Sequence, residues 1–374
     1  MKHAWKELLH GKRKYILIEI LLILLMFMVL FLSGLAEGLG RAVVAGIDTM
    51  DAKYYLLDDE AEELITVSSL DEEVAETLSA QTSSAVTPID IQRMYLIKDG
   101  DTEKLNVTYF AVEPGSFIEP EVMDGIGLKQ AYDELNIDPI PETYNPIVLD
   151  DDFMLEGIAI GDTVYDSSTE LPLRVVGFVE DQMYGHVSIG FISTETYTRL
   201  RQKLNPMYTK KYHAIAIQGE DVEGIAIDGT EVVSKADIIS NVPSYTAEHM
   251  TITMIVWVLI IVSAVIIGIF HYILTLQKRK QFGVMKALGM STGELTVTVI
   301  CQVAILSVFA GAVALGLTFG MAAGLPEKMP FYLRFDNALV VTGAFIVISI
   351  LSSILSIVNI SRIDPITAIG GGEE

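Results

Sequence analysis

Four long apolar stretches alternate with polar ones along the chain. A helix needs about 20 residues to cross roughly 30 Å of hydrocarbon, and residues 15–36, 251–275, 295–325 and 338–360 each reach that length with few charges. In residues 37–250 the apolar positions come instead in short alternating or β-branched runs. "MYLI", "VTYFAV", "PIVL", "LRVVGFV", "VSIGFIS" and "HAIAIQ" predict strands. "SSLDEEVAETLSA" predicts a helix with Ser69 as its cap and Glu72 three residues later, and "TYTRLRQKLN" predicts another. The expected fold class is an α-helical membrane protein with four transmembrane helices and a large mixed α/β extracellular domain inserted between helices 1 and 2.

The first apolar run keeps its helical spacing beyond the length a membrane needs. In "MVLFLSGLAEGLGRAVVAGIDTM" the small residues Gly34, Gly38, Ala42 and Gly46 recur every fourth position and lead to Met50. Gly34 and Gly38 at that spacing predict close approach of a partner helix. The row drifts about 40° per step around a helix of 3.6 residues per turn, so it winds rather than lining one face. The helix is expected to continue as a stalk, with the row packing the stalk and a dimer.

Charge sets the orientation. Lys2, Lys6, Lys12, Arg13 and Lys14 precede the first run, Lys278, Arg279, Lys280 and Lys286 follow the second, and Arg362 follows the fourth. By the positive-inside rule residues 1–14, 276–294 and 361–374 are cytoplasmic, leaving 37–250 and a short loop at 326–337 outside. "KRK" before an apolar run also begins an export signal, but this run is too long and no A-x-A site follows, so the helix is expected to be retained. Glu19, about one turn from Lys14, is expected to snorkel to the inner interface.

Composition agrees with two compartments. The 374 residues are 51% hydrophobic, with a mean hydropathy of +0.44. Residues 51–250 hold 39 acidic and 12 basic side chains, net −27, against 10 and 13 elsewhere. Such an acidic segment offers nothing to a nucleic acid. The single cysteine, Cys301, excludes an intrachain disulfide. There is no G-x-x-x-x-G-K-[ST], H-E-x-x-H, C-x-x-C or G-x-S-x-G, so the chain lacks a Walker phosphate cradle and footholds for zinc, redox or hydrolase chemistry. No catalytic residue and no intrinsic metal site are expected.

The most specific stretch is the loop "LQKRKQFGVMKALGMSTGEL", residues 276–295. It joins a basic cluster to an amphipathic turn of Phe282, Met285 and Leu288 and to a stop at Gly289. This run, the end "RIDPITAIGG" at 362–371, and "GIAIGDTV" with "RVVGFVED" resemble the FtsX-like, MacB-type ABC permeases. Within that superfamily "MVLFLSGLAEGLGR", "QMYGHVSI", "SYTAE", "MPFYL" and "DPITAIGG" are similar to the haem-exporting permeases of Gram-positive bacteria.

The resemblance implies a non-catalytic, multi-pass permease of the cell membrane. It implies a homodimer paired with two cytosolic ABC ATPases that hydrolyse ATP, with Phe282, Met285, Lys286, Leu288 and Gly289 as the ATPase-coupling region. Haem is then the transported substrate rather than a resident cofactor. Haem iron accepts Met, Tyr or His, and the candidate binding residues are Met50, Met183, Tyr184, His186, Tyr245 and His249, with Tyr184 and Tyr245 inside matched motifs. Each has an alternative role as a packed junction residue. Arg41, Lys53, Lys210 and Lys211 are the cations available to haem propionates. Export of antimicrobial peptides or drugs, and FtsX-like signalling without transport, are the competing functions of the same architecture.

Overall fold

The computed structural model describes residues 12–135, 141, 143–243, 245–326 and 329–361. The basic residues before Lys12, Ser244 of "SYTAE", and the terminal "RIDPITAIGG" lie outside the described residues. The chain divides into two compact units, residues 1–39 with 250–374, and residues 40–249.

The first unit is built on four helices long and apolar enough to cross a membrane: α1 (Lys12–Asp48), α7 (Tyr245–Gln277), α9 (Thr292–Ala322) and α10 (Phe335–Ser361). Between α7 and α9 lies a short helix, α8 (Arg279–Ala287). α1 is apolar on all sides through its membrane stretch. Tyr15, Ile18, Leu22, Met26 and Val29 are buried at three- and four-residue spacing, whereas Ile16, Leu17, Ile20 and Leu24 are exposed. On α7 the stripe turned inward is narrow and partly polar, Ser263, Ile267, His271 and Thr275, while Trp257, Ile261, Val265 and Ile269 point out. An apolar outside around a polar-flecked inside is the distribution that a hydrocarbon solvent selects.

The second unit is mixed α/β. Its helices are α2 (Glu72–Gln81), α3 (Leu128–Leu135), α4 (Asp152–Leu155), α5 (Thr194–Leu204) and α6 (Lys235–Asn241). Its strands are β1 (Tyr54–Asp58), β2 (Leu70–Asp71), β3 (Val86–Lys98), β4 (Leu105–Val112), β5 (Asp124–Gly125), β6 (Pro146–Asp150), β7 (Thr163–Asp166), β8 (Pro172–Val179), β9 (Met183–Tyr184), β10 (Val187–Ser193), β11 (Lys211–Tyr212), β12 (Ala214–Ile217) and β13 (Thr230–Ser234). The main sheet runs β13-β1-β12-β3-β4-β10-β6-β8-β5, with β7 on β3 and β8, and β9 on β10. β10 is parallel to β4 and antiparallel to β6.

Both faces of this sheet are covered. Phe110 joins a core with Tyr55, Phe191 and Val43, Val44 and Ile47 of α1. Its neighbour Tyr109 joins the opposite core with Phe178, Ile192 and Tyr197. That explains why "VTYFAV" is nearly continuously apolar instead of alternating. Ser193 caps α5 by accepting from Thr196 N.

One expectation changes. Ser69 does not cap α2, which starts at Glu72 after Asp71, because Leu70 and Asp71 are drawn into a strand pair with Tyr212 and Lys211. The stretch 276–294, expected as a cytoplasmic coupling loop or helix, contains α8 and a capping box of Ser291 and Glu294 that starts α9.

Candidate functional site

In the α/β unit the last turns of α1 are seated on the sheet. A side chain at Gly46 would collide with Ile189, so glycine sets the close approach. The helix ends at Asp48, whose carbonyl accepts from the Lys235 ammonium; the same ammonium donates to Met50 O, two residues beyond the helix, at 2.7 Å. A cation there also complements the negative end of the helix dipole. Met50 is 5% exposed, and its Sδ accepts from the Tyr55 hydroxyl at 3.8 Å. The row of small residues therefore runs into a methionine that fills the core, which is the packing alternative for this residue.

Met183 and Tyr184 open a hairpin whose two-residue turn is Gly185 and His186, both left-handed at φ +57° and +60°. Turns of that hand match the twist of paired strands. The turn is docked on α1: Gly185 N and His186 N each donate at 2.9 Å, to Val43 O and Ala42 O. Tyr184 is buried, edge-on to Phe110 at 5.6 Å, and burial pushes its hydroxyl up to about 12. That hydroxyl has no hydrogen-bond partner among the described residues. Met183 turns its carbonyl toward Gly46.

The predicted ligands separate into two groups. Met50 and Tyr184 belong to one apolar cluster, with Tyr245 packed against it. His186 and His249 lie at the surface; His186 Nε2 is 3.0 Å from Glu248 Oε2, and the His249 ring stacks on Tyr245 at 5.5 Å. The predicted propionate partners are all committed to carboxylates. Arg41 is 4.0 Å from Asp181, Lys53 is 2.6 Å from Glu220, Lys210 is 2.9 Å from Glu72 and Lys211 is 3.1 Å from Asp71.

One feature was not expected from sequence. A cleft of about 610 Å³ opens beside Met50, with Phe117, Met123 and Phe191 among its apolar walls and Asp51, Glu119, Glu121 and Glu180 around it. Its walls come from segments near residues 50, 120 and 180, which no local spacing connects. The only trace in the sequence is the concentration of carboxylates.

In the helical unit the glycine row meets the segment before α10 of the same chain. Side chains at Gly34 and Gly38 would collide with Phe331 and with the Pro330 carbonyl, and Tyr332 N donates to Gly34 O at 3.0 Å. The expected partner-helix surface is therefore filled at these two glycines from within the chain. Ala42 and Gly46 are buried in the α/β unit instead. The residues expected to couple to an ATPase also divide. Phe282 is 1% exposed and packs with Leu295, Val299 and Met285, so those two face α9 rather than outward. Leu288 is 82% exposed, Lys286 is half-buried, and Gly289, at φ +95°, ends the helix as expected.

Residues 253–365, from α7 through α10, match the FtsX-like permease C-terminal family. Over its full length the chain is similar to proteins provisionally named hemin transport system permease protein HrtB. The identity is 26% over 375 residues in Staphylococcus haemolyticus and 28% over 374 in Staphylococcus epidermidis, each covering 100% of both chains. An uncharacterised ABC transporter permease of Mycobacterium tuberculosis is 28% identical over 202 residues, 53% of this chain and 55% of that one. Among solved structures, the periplasmic region of MacB from Actinobacillus actinomycetemcomitans covers 52% of this chain and 93% of its own, at 15% identity and TM-score 0.36. The extracellular domain of YknZ covers 49% and 98%, at 13% identity and TM-score 0.33. The matched segment, residues 253–365, contains the basic loop, α8 and its exposed Leu288, the features expected to serve coupling.

Proposed function

We propose that this chain is the permease subunit of an ABC efflux system that removes haem from the membrane. The end-to-end likeness to the hemin permeases carries this reading. The subunit would sit in the cell membrane with both termini cytoplasmic and the α/β unit outside. It would act as a homodimer with two separate ATPases, whose cycle moves α8 and, through it, the outer unit. The chain itself breaks no bond.

Tyr184 is the iron ligand favoured by its chemistry, because its hydroxyl is unpartnered. Burial holds that hydroxyl protonated, so an iron bound through it must overcome the cost of forming the phenolate. Weak ligation of this kind suits a carrier that must release its cargo. With Arg41, Lys53, Lys210 and Lys211 paired, the propionates would stay in water. A haem titration followed in the Soret region tests the reading on wild type and on a Tyr184→Phe, Tyr245→Phe double variant that keeps both rings. Saturable binding lost in the variant is expected. Weak, unsaturable binding shared by both would exclude haem as cargo, and saturable binding kept by the variant would exclude these ligands.

The acidic cleft beside Met50 favours a second reading of the same architecture. Four carboxylates around apolar walls suit a cationic amphiphile such as a membrane-active peptide or drug.

A further inference from the structure

Orphaned buried polar atoms among the described residues concentrate in the helical unit: Tyr15 Oη, both oxygens of Glu19, Ser263 Oγ, His271 Nε2, Ser307 Oγ and Thr342 Oγ1. In hydrocarbon such atoms find no solvent, so each represents a lost hydrogen bond unless something else supplies it. Two of them, Tyr15 Oη of α1 and His271 Nε2 of α7, belong to residues that line one small cavity of about 20 Å³. Tyr15 is 8% and His271 3% exposed.

We infer that this cavity is a binding site for one water molecule, which bridges the Tyr15 hydroxyl and the His271 ring. The volume suits it, since a single water occupies about 10–15 Å³ on the same measure. The chemistry is complementary. His271 Nδ1 lies 2.8 Å from Ile267 O, an acceptor, so Nδ1 carries the ring proton. Nε2 of the neutral ring is then a lone-pair acceptor, whereas Tyr15 Oη can both donate and accept. Water can accept from the tyrosine and donate to the histidine. The other polar groups of the wall are engaged: Thr275 donates to His271 O at 2.8 Å, and Lys278 Nζ donates to Gln302 Oε1 at 3.0 Å. The Lys278 ammonium, 5.1 Å from the Tyr15 ring centre, opposes a cation in the same space.

The site stands where the coupling segment begins, because Lys278 precedes α8 and Phe282 lies within it, and both wall the cavity. A water is a joint that can change partners while α1 and α7 shift, which a direct side-chain pair cannot do. Tyr15 and His271 are positioning residues in this role.

A density map of the full chain in lipid nanodiscs that resolves ordered waters tests this. A peak within about 3.2 Å of both Tyr15 Oη and His271 Nε2 is expected; no peak, or the two side chains bonded directly, overturns the site. Thermal unfolding of Tyr15→Phe, His271→Leu and the double variant gives an independent check. A shared water predicts that the double variant loses no more Tm than the more damaging single change, whereas a loss equal to the sum overturns the bridge.

Discussion

At the scale of single residues, burial rather than identity decides which groups have unusual chemistry. Asp150 is 1% exposed, and burial pushes its carboxyl up to about 8 even though Gln182 N and Asp152 N donate to it, with Asp151 and Asp152 adding repulsion. An unfolded aspartate titrates near about 3.9. Between about pH 4 and 8 the folded unit therefore holds a proton that the unfolded chain releases, so stability falls as pH rises through that window and levels off above it. Thermal midpoints across the window are expected to decline for wild type and to be flat for Asp150→Asn; parallel profiles would show that this carboxyl is not the titrating group. Nothing in "PIVLDDD" marks the first aspartate out, because its burial comes from the 180–182 segment that crosses it. Tyr184 and Tyr245 were singled out in the sequence only through their motifs, whereas Met50 was legible as an end point but not as a core residue held by Tyr55 and Lys235.

At the scale of elements, periodicity located the four long helices and the strands, because both depend on spacing within one segment. It misplaced the start of α2, which depends on a strand pairing with residues 140 positions away. Helix α8 illustrates both outcomes. Its stop at Gly289 was visible, but three- and four-residue spacing alone did not tell which side of the stripe is claimed by α9. The structure separates the roles: Phe282→Ala removes a fully buried ring and should cost about 3 kcal/mol of stability. Leu288→Ala should cost less than about 0.5 kcal/mol, as exposed positions do. If α8 is the ATPase contact, Leu288→Ala will nevertheless weaken co-purification of the ATPase and its stimulation in nanodiscs. An unchanged complex would show that Leu288 is not the contact.

At the scale of the whole molecule, charge is the property that distinguishes the two readings of cargo. The α/β segment carries net −27, and the cleft beside Met50 is ringed by Asp51, Glu119, Glu121 and Glu180. That field attracts a cationic amphiphile and repels the propionates of haem, and for solvent-exposed charges it is screened over about 8 Å at physiological ionic strength. Binding of a cationic amphipathic peptide to the full chain should therefore weaken steeply between low and high salt. It should also fall in a Glu119→Gln, Glu121→Gln, Glu180→Gln variant, with haem binding left intact or strengthened. If haem saturates the wild type while the peptide shows no salt-sensitive binding, the acidic cleft is a solvated surface and the cargo is haem. If the peptide competes and the variant loses it, the cleft is the binding site and the −27 charge is its means of selecting cargo.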